Sequence, residues 1–258
     1  MDRRALLEAR AELRQGIRAS EEWHPSYKSQ ESTFKALLRY EAHLEAQTAE
    51  YLAGLAHRAP EYVDWQQVPT VQAASTPLAN KSDEVWGNEM IDMTKAVIDA
   101  ITMLTVTGGQ FGELTYNMTL GTNSLSDWVL ESARTQTATL VSQVTDTNRK
   151  LISEAIKQSM ARGEDKAATM ARIGKVISNP VRAEMIAHTE SVNAYQGGLL
   201  GFGRETGAKQ KTYEALAGAC PVCSPLDGET VDIDDTFSNG VDRPPSHPRC
   251  RCTTWLTY

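Results

Sequence analysis

The four cysteines of this 258-residue chain all fall within its last 39 residues. They form a pattern: Cys220-Pro-Val-Cys223, then His247-Pro-Arg-Cys250-Arg-Cys252. A disulfide scaffold would spread its cysteines along a small secreted chain. Clustering at one end points to a local cross-link or a metal knot. Two thiols two residues apart make a tight knuckle with both sulfurs pointing one way, and zinc takes four such ligands at tetrahedral positions. His247 and Cys250 repeat the knuckle gap, and Cys250 and Cys252, at i and i+2, share a face if that stretch is a strand. Cys220, Cys223 and Cys250 are read as three ligands, with His247 and Cys252 competing for the fourth place. Two disulfides, or thiols that merely pack, are the open alternatives to a structural zinc.

Most of the rest reads as helix. Leu6, Leu13 and Ile17 form a thin apolar stripe that ends near Pro25, and a second helix is expected from about Gln30 to Arg58, with Leu37, Leu44 and Tyr51 a heptad apart. Residues 59–82, with three prolines and few charges, read as a linker or strap. From Asp83 to Val106, Trp86, Met90, Met93, Val97, Ile101 and Leu104 recur at helical spacing, and Gly108-Gly109 is expected to end that helix before a loop over 108–125. A helix from Ser126 towards Val144 and another from Thr145 or Asp146 to Met160 follow. The next spans Asp165 to Ile177 with Met170, Ile173 and Val176 or Ile177 on one face. The last follows Asn179-Pro180, where proline suits the first helical position, and fades into a run of glycines at 197–207. Beyond Gly207, turn dipeptides separate strand-like pieces at Glu229–Ile233 and Thr253–Leu256. The expected fold is mostly α with a small β and zinc-knuckle C-terminal subdomain, an α+β chain. It divides into a helical arm over 1–58, the strap over 59–82, a helical body over 83–207 and the knuckle subdomain over 208–258.

Charge narrows the function. The chain holds 26 basic and 33 acidic residues, a net −7, and no segment has the basic excess that broad nucleic-acid binding leaves as its footprint. The longest apolar run, Ala96 to Val106, falls short of the roughly 20 residues a spanning helix needs, and the start lacks the apolar core of a secretion signal.

The run from Thr145 to Cys252 resembles the phage head morphogenesis family, the Mu F-like minor head proteins. Thr145-Asp-Thr-Asn-Arg149, Gly163-Glu-Asp-Lys166, Ala171-Arg-Ile173, Arg182-Ala183, Ile186-Ala-His-Thr-Glu190 and Lys211-Thr-Tyr213 carry the early part. The specific part is the ending, Cys220-Pro-Val-Cys223-Ser-Pro-Leu-Asp-Gly228 and Pro245-Ser-His247-Pro-Arg-Cys250-Arg-Cys252. The chain departs from the family at His188, where arginine is usual, at Tyr213, where tryptophan is common, and at Gln196, where asparagine is usual.

The resemblance implies a minor capsid protein of a tailed bacteriophage virion, assembled in the host cytoplasm at the portal vertex. Portal protein and major capsid or scaffold protein would be its partners, contact with packaged DNA would be incidental, and no membrane is involved. The chain stops six residues after Cys252, leaving no room for the cargo enzyme some relatives carry there, so no catalytic residue is assigned. Two rivals come from other classes. A metal-dependent nuclease or deaminase would use His188, Glu190 and His247. His188-Thr-Glu190 fits the H-x-E of zinc deaminases, but Ala219 stands where their cysteine pair has proline; His188 is read instead as a helix residue satisfied by its neighbours. A zinc-ribbon DNA-binding module would use Arg243, Arg249 and Arg251, although Arg249 and Arg251 are expected to pair with Asp232, Asp234 or Asp235.

Overall fold

A computed structural model describes residues 22–65, 83–120 and 124–258. The stripe at Leu6, Leu13 and Ile17 and the strap from 66 to 82 lie outside the described residues. Helix α1 is Pro25–Lys28, α2 Glu31–Arg58, α3 Asp83–Tyr116, α4 Ser124–Ala161, α5 Lys166–Ile177 and α6 Pro180–Thr206; the strands are β1 Gln210–Glu214, β2 Thr230–Asp232 and β3 Thr253–Thr257. The fold is thus mostly α with a small C-terminal sheet, the expected α+β class. Among the described residues no helix is long and apolar enough to cross a membrane.

The chain forms two compact units. The first holds residues up to Tyr40, Thr102–Ser132 and His188–Tyr258; the second holds Glu41–Ile101 and Ala133–Ala187. Helices α2, α3, α4 and α6 each contribute residues to both units.

Where the sequence reading and the structure part, the reason is local. Helix α3 does not stop at Gly108-Gly109 but runs on to Tyr116, so the loop over 108–125 is a correction. These glycines are there for close approach. A Cβ at Gly108 would lie 1.9 Å from the Tyr195 carbonyl oxygen, and one at Gly198 would lie 2.0 Å from that of Thr105. The backbones of α3 and α6 therefore meet within the first unit, and packing outweighs the roughly 1 kcal/mol helix penalty of each glycine. For the same reason α6 continues through Gly197, Gly198, Gly201 and Gly203 to Thr206.

The expected break at Thr145 is also absent, and α4 is continuous from Ser124 to Ala161. Thr145 and Asp146 can cap a helix, but no glycine or proline lies between 124 and 161 to interrupt the hydrogen-bond ladder. Helix α5 starts as its cap predicts, with Asp165 Oδ1 accepting from the Ala168 N–H at 2.8 Å. Its buried face is Thr169, Ile173 and Ile177, while Met170 is exposed.

In the second unit a buried carboxylate is paired with an arginine. Glu89 is 3% exposed. It accepts from Arg58 Nε at 2.7 Å and Nη2 at 2.9 Å, and from the Tyr62 hydroxyl. Burial alone would raise this carboxyl, but the bonds from Arg58, Tyr62 and Tyr51 outweigh it and hold it below its usual value.

In the first unit the sheet has the order β2-β1-β3, with both pairings antiparallel. β1 is the central strand, Tyr213 lies opposite Thr254 of β3, and Lys211 lies opposite Val231 of β2 and Leu256 of β3. The strand at 210–214 was not anticipated, since its Gln-Lys-Thr-Tyr-Glu sequence is largely polar. Burial explains it: Lys211 and Tyr213 are both fully buried, and Lys211 Nζ donates to the Ile233 carbonyl at 2.9 Å.

Candidate metal centre

Two turns present the donors. In the first, the N–H groups of Cys223 and Ser224 both donate to the Cys220 carbonyl, at 3.1 and 2.9 Å, folding Cys220 and Cys223 into a knuckle that leads into a 3-10 turn at Ser224–Leu226. In the second, the Cys250 N–H donates to the His247 carbonyl at 3.2 Å. Arg249, between them, adopts φ 62°, a left-handed conformation uncommon for a residue with a Cβ. Its N–H donates to Thr189 Oγ1 at 3.1 Å, which fixes that bend.

The turns bring all five sequence-predicted donors together. Cys220 Sγ lies 3.1 Å from His247 Nε2, and Cys223 Sγ lies 3.6 Å from Cys250 Sγ. Cys220, Cys223 and His247 form one group of mutually close donor atoms, and Cys223, Cys250 and Cys252 form a second that shares Cys223. The cysteines are free thiols. A sulfur separation of 3.6 Å is well beyond a disulfide bond and close to the roughly 3.8 Å edge of a tetrahedron with metal–sulfur bonds of about 2.3 Å. The cluster could bind a metal ion.

Hydrogen bonds orient the donors. His247 Nδ1 lies 2.7 Å from the Pro248 carbonyl. That acceptor fixes the ring proton on Nδ1 and leaves Nε2, which faces Cys220, as the nitrogen that could take a metal. The Leu216 N–H donates to Cys252 Sγ at 3.5 Å. The hydroxyl of Tyr213 donates to Cys223 Sγ at 3.3 Å and lies 3.6 Å from Cys250 Sγ. A cavity of about 280 Å³ adjoins the cluster, lined by the five donors together with Leu216 and Arg249 among others.

Crowding of ionisable groups perturbs their proton affinities. The hydrogen bond with Cys250 raises His247 to about 9. Cys250 is lowered, chiefly by its bond from Cys223, and Cys223 is raised to about 12 by the same bond. Burial pushes Cys220 up, but the backbone N–H groups of Cys223 and Val222 and the charge of His247 bring it below its ordinary value. Cys252 is raised by its bonds with Cys223 and Cys250, so the cluster shares protons among its sulfurs, and a bound metal would displace them.

A buried lock holds the backbone at the fourth cysteine, Cys252, in place. Gln196, fully buried on α6, donates from Nε2 to Tyr27 Oη at 2.8 Å and to Thr253 Oγ1 at 2.9 Å, and its Oε1 accepts from the Thr254 N–H and Oγ1. Tyr27 in turn donates to the Cys252 carbonyl at 2.9 Å. The sequence reading noted Gln196 only as a departure from the family pattern and missed Tyr27 altogether.

Of the residues assigned to the rival readings, His247 is among the donors and Arg249 and Arg251 line the adjoining cavity. His188 is buried, and its ring accepts from Arg251 Nε at 2.7 Å, so it is satisfied by a neighbour as expected. Among the described residues neither His188 nor Glu190 joins a group of converging metal donors. Arg251 lies with its guanidinium 4.2 Å from the centre of the Trp23 ring, and Asp234 accepts from Arg204 at 2.8 Å. Arg243 reaches the Asn193 side chain at 3.0 Å and Asp242 at 2.6 Å.

Residues 150–255 match the family model of the phage Mu protein F like proteins. The match runs from α4 to β3, includes all five donors and supports the resemblance read from the sequence. It points to a phage head-morphogenesis protein. No curated protein and no solved structure matches the chain.

Proposed function

We propose that this chain is a structural minor head protein of a tailed bacteriophage, bound at the portal vertex, with a zinc ion stapling its C-terminal end. The family match over residues 150–255 carries the reading, since it covers the Cys/His ending that is the most specific part of the sequence. Portal protein, with major capsid or scaffold protein, is the expected partner, and the chain resides in the virion after assembly in the host cytoplasm.

The donor chemistry favours zinc. Thiolates with one imidazole suit a tetrahedral borderline-soft ion, and five donors for four positions leave no need for the open position of a catalytic zinc. Four of Cys220, Cys223, His247, Cys250 and Cys252 would hold it; bound there, the ion cross-links the two knuckles around a small core of Tyr213, Leu226 and Phe237. An assembly role is favoured over the enzyme because His188 is engaged by Arg251. It is favoured over the DNA-binding module because Arg243 and Arg251 are committed to internal contacts.

Quantitative mass spectrometry of purified virions from a phage encoding this chain tests the proposal. A few copies per portal ring are expected, with incorporation falling when Cys220→Ser removes a ligand. Absence of the chain from the particle would overturn it.

A further inference from the structure

Behind the cluster lies a chain of hydrogen bonds with a single polarity. The Val241 N–H donates to Asn239 Oδ1 at 3.2 Å, which turns the Asn239 amide so that its Nδ2 faces, and donates to, Ser246 Oγ at 3.2 Å. Ser246 Oγ lies 2.9 Å from Tyr213 Oη. The Tyr213 proton is directed to Cys223 Sγ, so the proton between the two hydroxyls must come from Ser246. Every bond therefore points the same way, from Val241 through Asn239, Ser246 and Tyr213 to sulfur.

Tyr213 has little freedom to do otherwise. It is fully buried at the centre of the sheet, edge-on to Phe237 with ring centres 5.3 Å apart. Each hydroxyl in a relay of this kind is polarised by the one before it. The terminal acceptor, Cys223, is a buried sulfur that stands at tetrahedral-edge distance from Cys250. A donor relay ending on sulfur is best satisfied when that sulfur is an electron-rich thiolate.

We infer that Asn239, Ser246 and Tyr213 form an outer-sphere relay that hydrogen-bonds the metal-bound thiolate of Cys223, favouring its ligation and blunting its reactivity. The inference rests on the metal reading above and assigns Cys223 to the bound set. Tyr213 is a positioning residue, and its phenol oxygen is the functional atom. Outer-shell partners of this kind contribute about 10–100-fold to metal affinity.

The test uses the full chain and its Tyr213→Phe variant, which keeps the ring on Phe237 and removes only the hydroxyl. Each is loaded with cobalt(II) as a spectroscopic stand-in and separately with zinc. In the variant the thiolate-to-cobalt charge-transfer band is expected to move to lower energy. Zinc affinity should fall about 10-fold or more, and alkylation of the zinc-loaded thiolates by iodoacetamide should quicken. Ser246→Ala, which cuts the relay one bond earlier, should shift the band in the same direction by less; it also serves if Tyr213→Phe fails to fold. A wild-type chain that binds neither metal would overturn the metal reading and the relay together. Metal binding with identical spectra and alkylation rates in wild type and variants would overturn the relay alone.

Discussion

The two units bury ionisable groups in opposite ways. In the second, Glu89 meets Arg58 through two hydrogen bonds and Tyr62 through a third, so a negative charge taken out of water finds a positive one within the same chain. In the first, four thiols and an imidazole converge with a directed hydroxyl behind them. The first arrangement is closed, with donor and acceptor both supplied by side chains. The second is a set of ligands. A buried polar group is costly unless partnered, and in the knuckle a bound metal ion would displace the shared protons and take that place.

The sharpest break in that contrast comes from metal removal. Chelation of the zinc-loaded chain should destabilise the knuckle while the helices of the second unit persist. At free zinc a thousand-fold above Kd the loss amounts to about 4 kcal/mol. Hydrogen exchange should show it as lost protection in β1 and β3 with amides around Glu89 unchanged. Uniform loss across the chain would erase the distinction.

A smaller effect separates the knuckle from the helix crossing within its own unit. Gly198→Ala sets a methyl group against the Thr105 carbonyl, where its Cβ has only 2.0 Å, and should cost about 3 kcal/mol through forced backbone movement. Zinc stoichiometry should stay at wild-type level, because the two turns that carry the ligands are closed by their own backbone bonds. Loss of the metal in this variant would show that the centre depends on the helix crossing.

The smallest change concerns the closed pair. Glu89→Gln should cost about 2 kcal/mol at neutral pH, below the range for breaking a fully buried pair because Arg58 is 42% exposed. Since the folded state lowers the Glu89 carboxyl, its contribution is present above the unfolded value of about 4.3 and is lost as pH falls through the folded value. Denaturation curves of wild type and variant should therefore converge in acid. A gap that persists at pH 2 would mean the loss is packing rather than charge.

How far these features could be read in advance depends on their range along the chain. Asp165 as a cap, proline at the start of α6 and the apolar stripes of α2 and α3 rest on residues a few positions apart, and the structure keeps them. The five donors were legible for the same reason, since each knuckle is closed within four residues. Tyr213 stands 33 residues from Ser246, and Gln196 lies far from Tyr27 in sequence; nothing local marks either as part of the site. The glycines misled because the same residue breaks an exposed helix and permits a buried one to be approached closely, and α6 lies outside any local window on Gly108.

Sequence alone determined the helical character, the C-terminal set of candidate metal donors and the family resemblance, because helical periodicity, knuckle spacing and motif order are all properties of short stretches of chain. Tertiary structure decided that α3 and α4 run unbroken and that a largely polar strand carries the central tyrosine. It also decided that a line of hydroxyls points at sulfur rather than away from it. Those outcomes turn on which distant groups share the interior, where a hydrogen bond or a missing methyl group outweighs local preference.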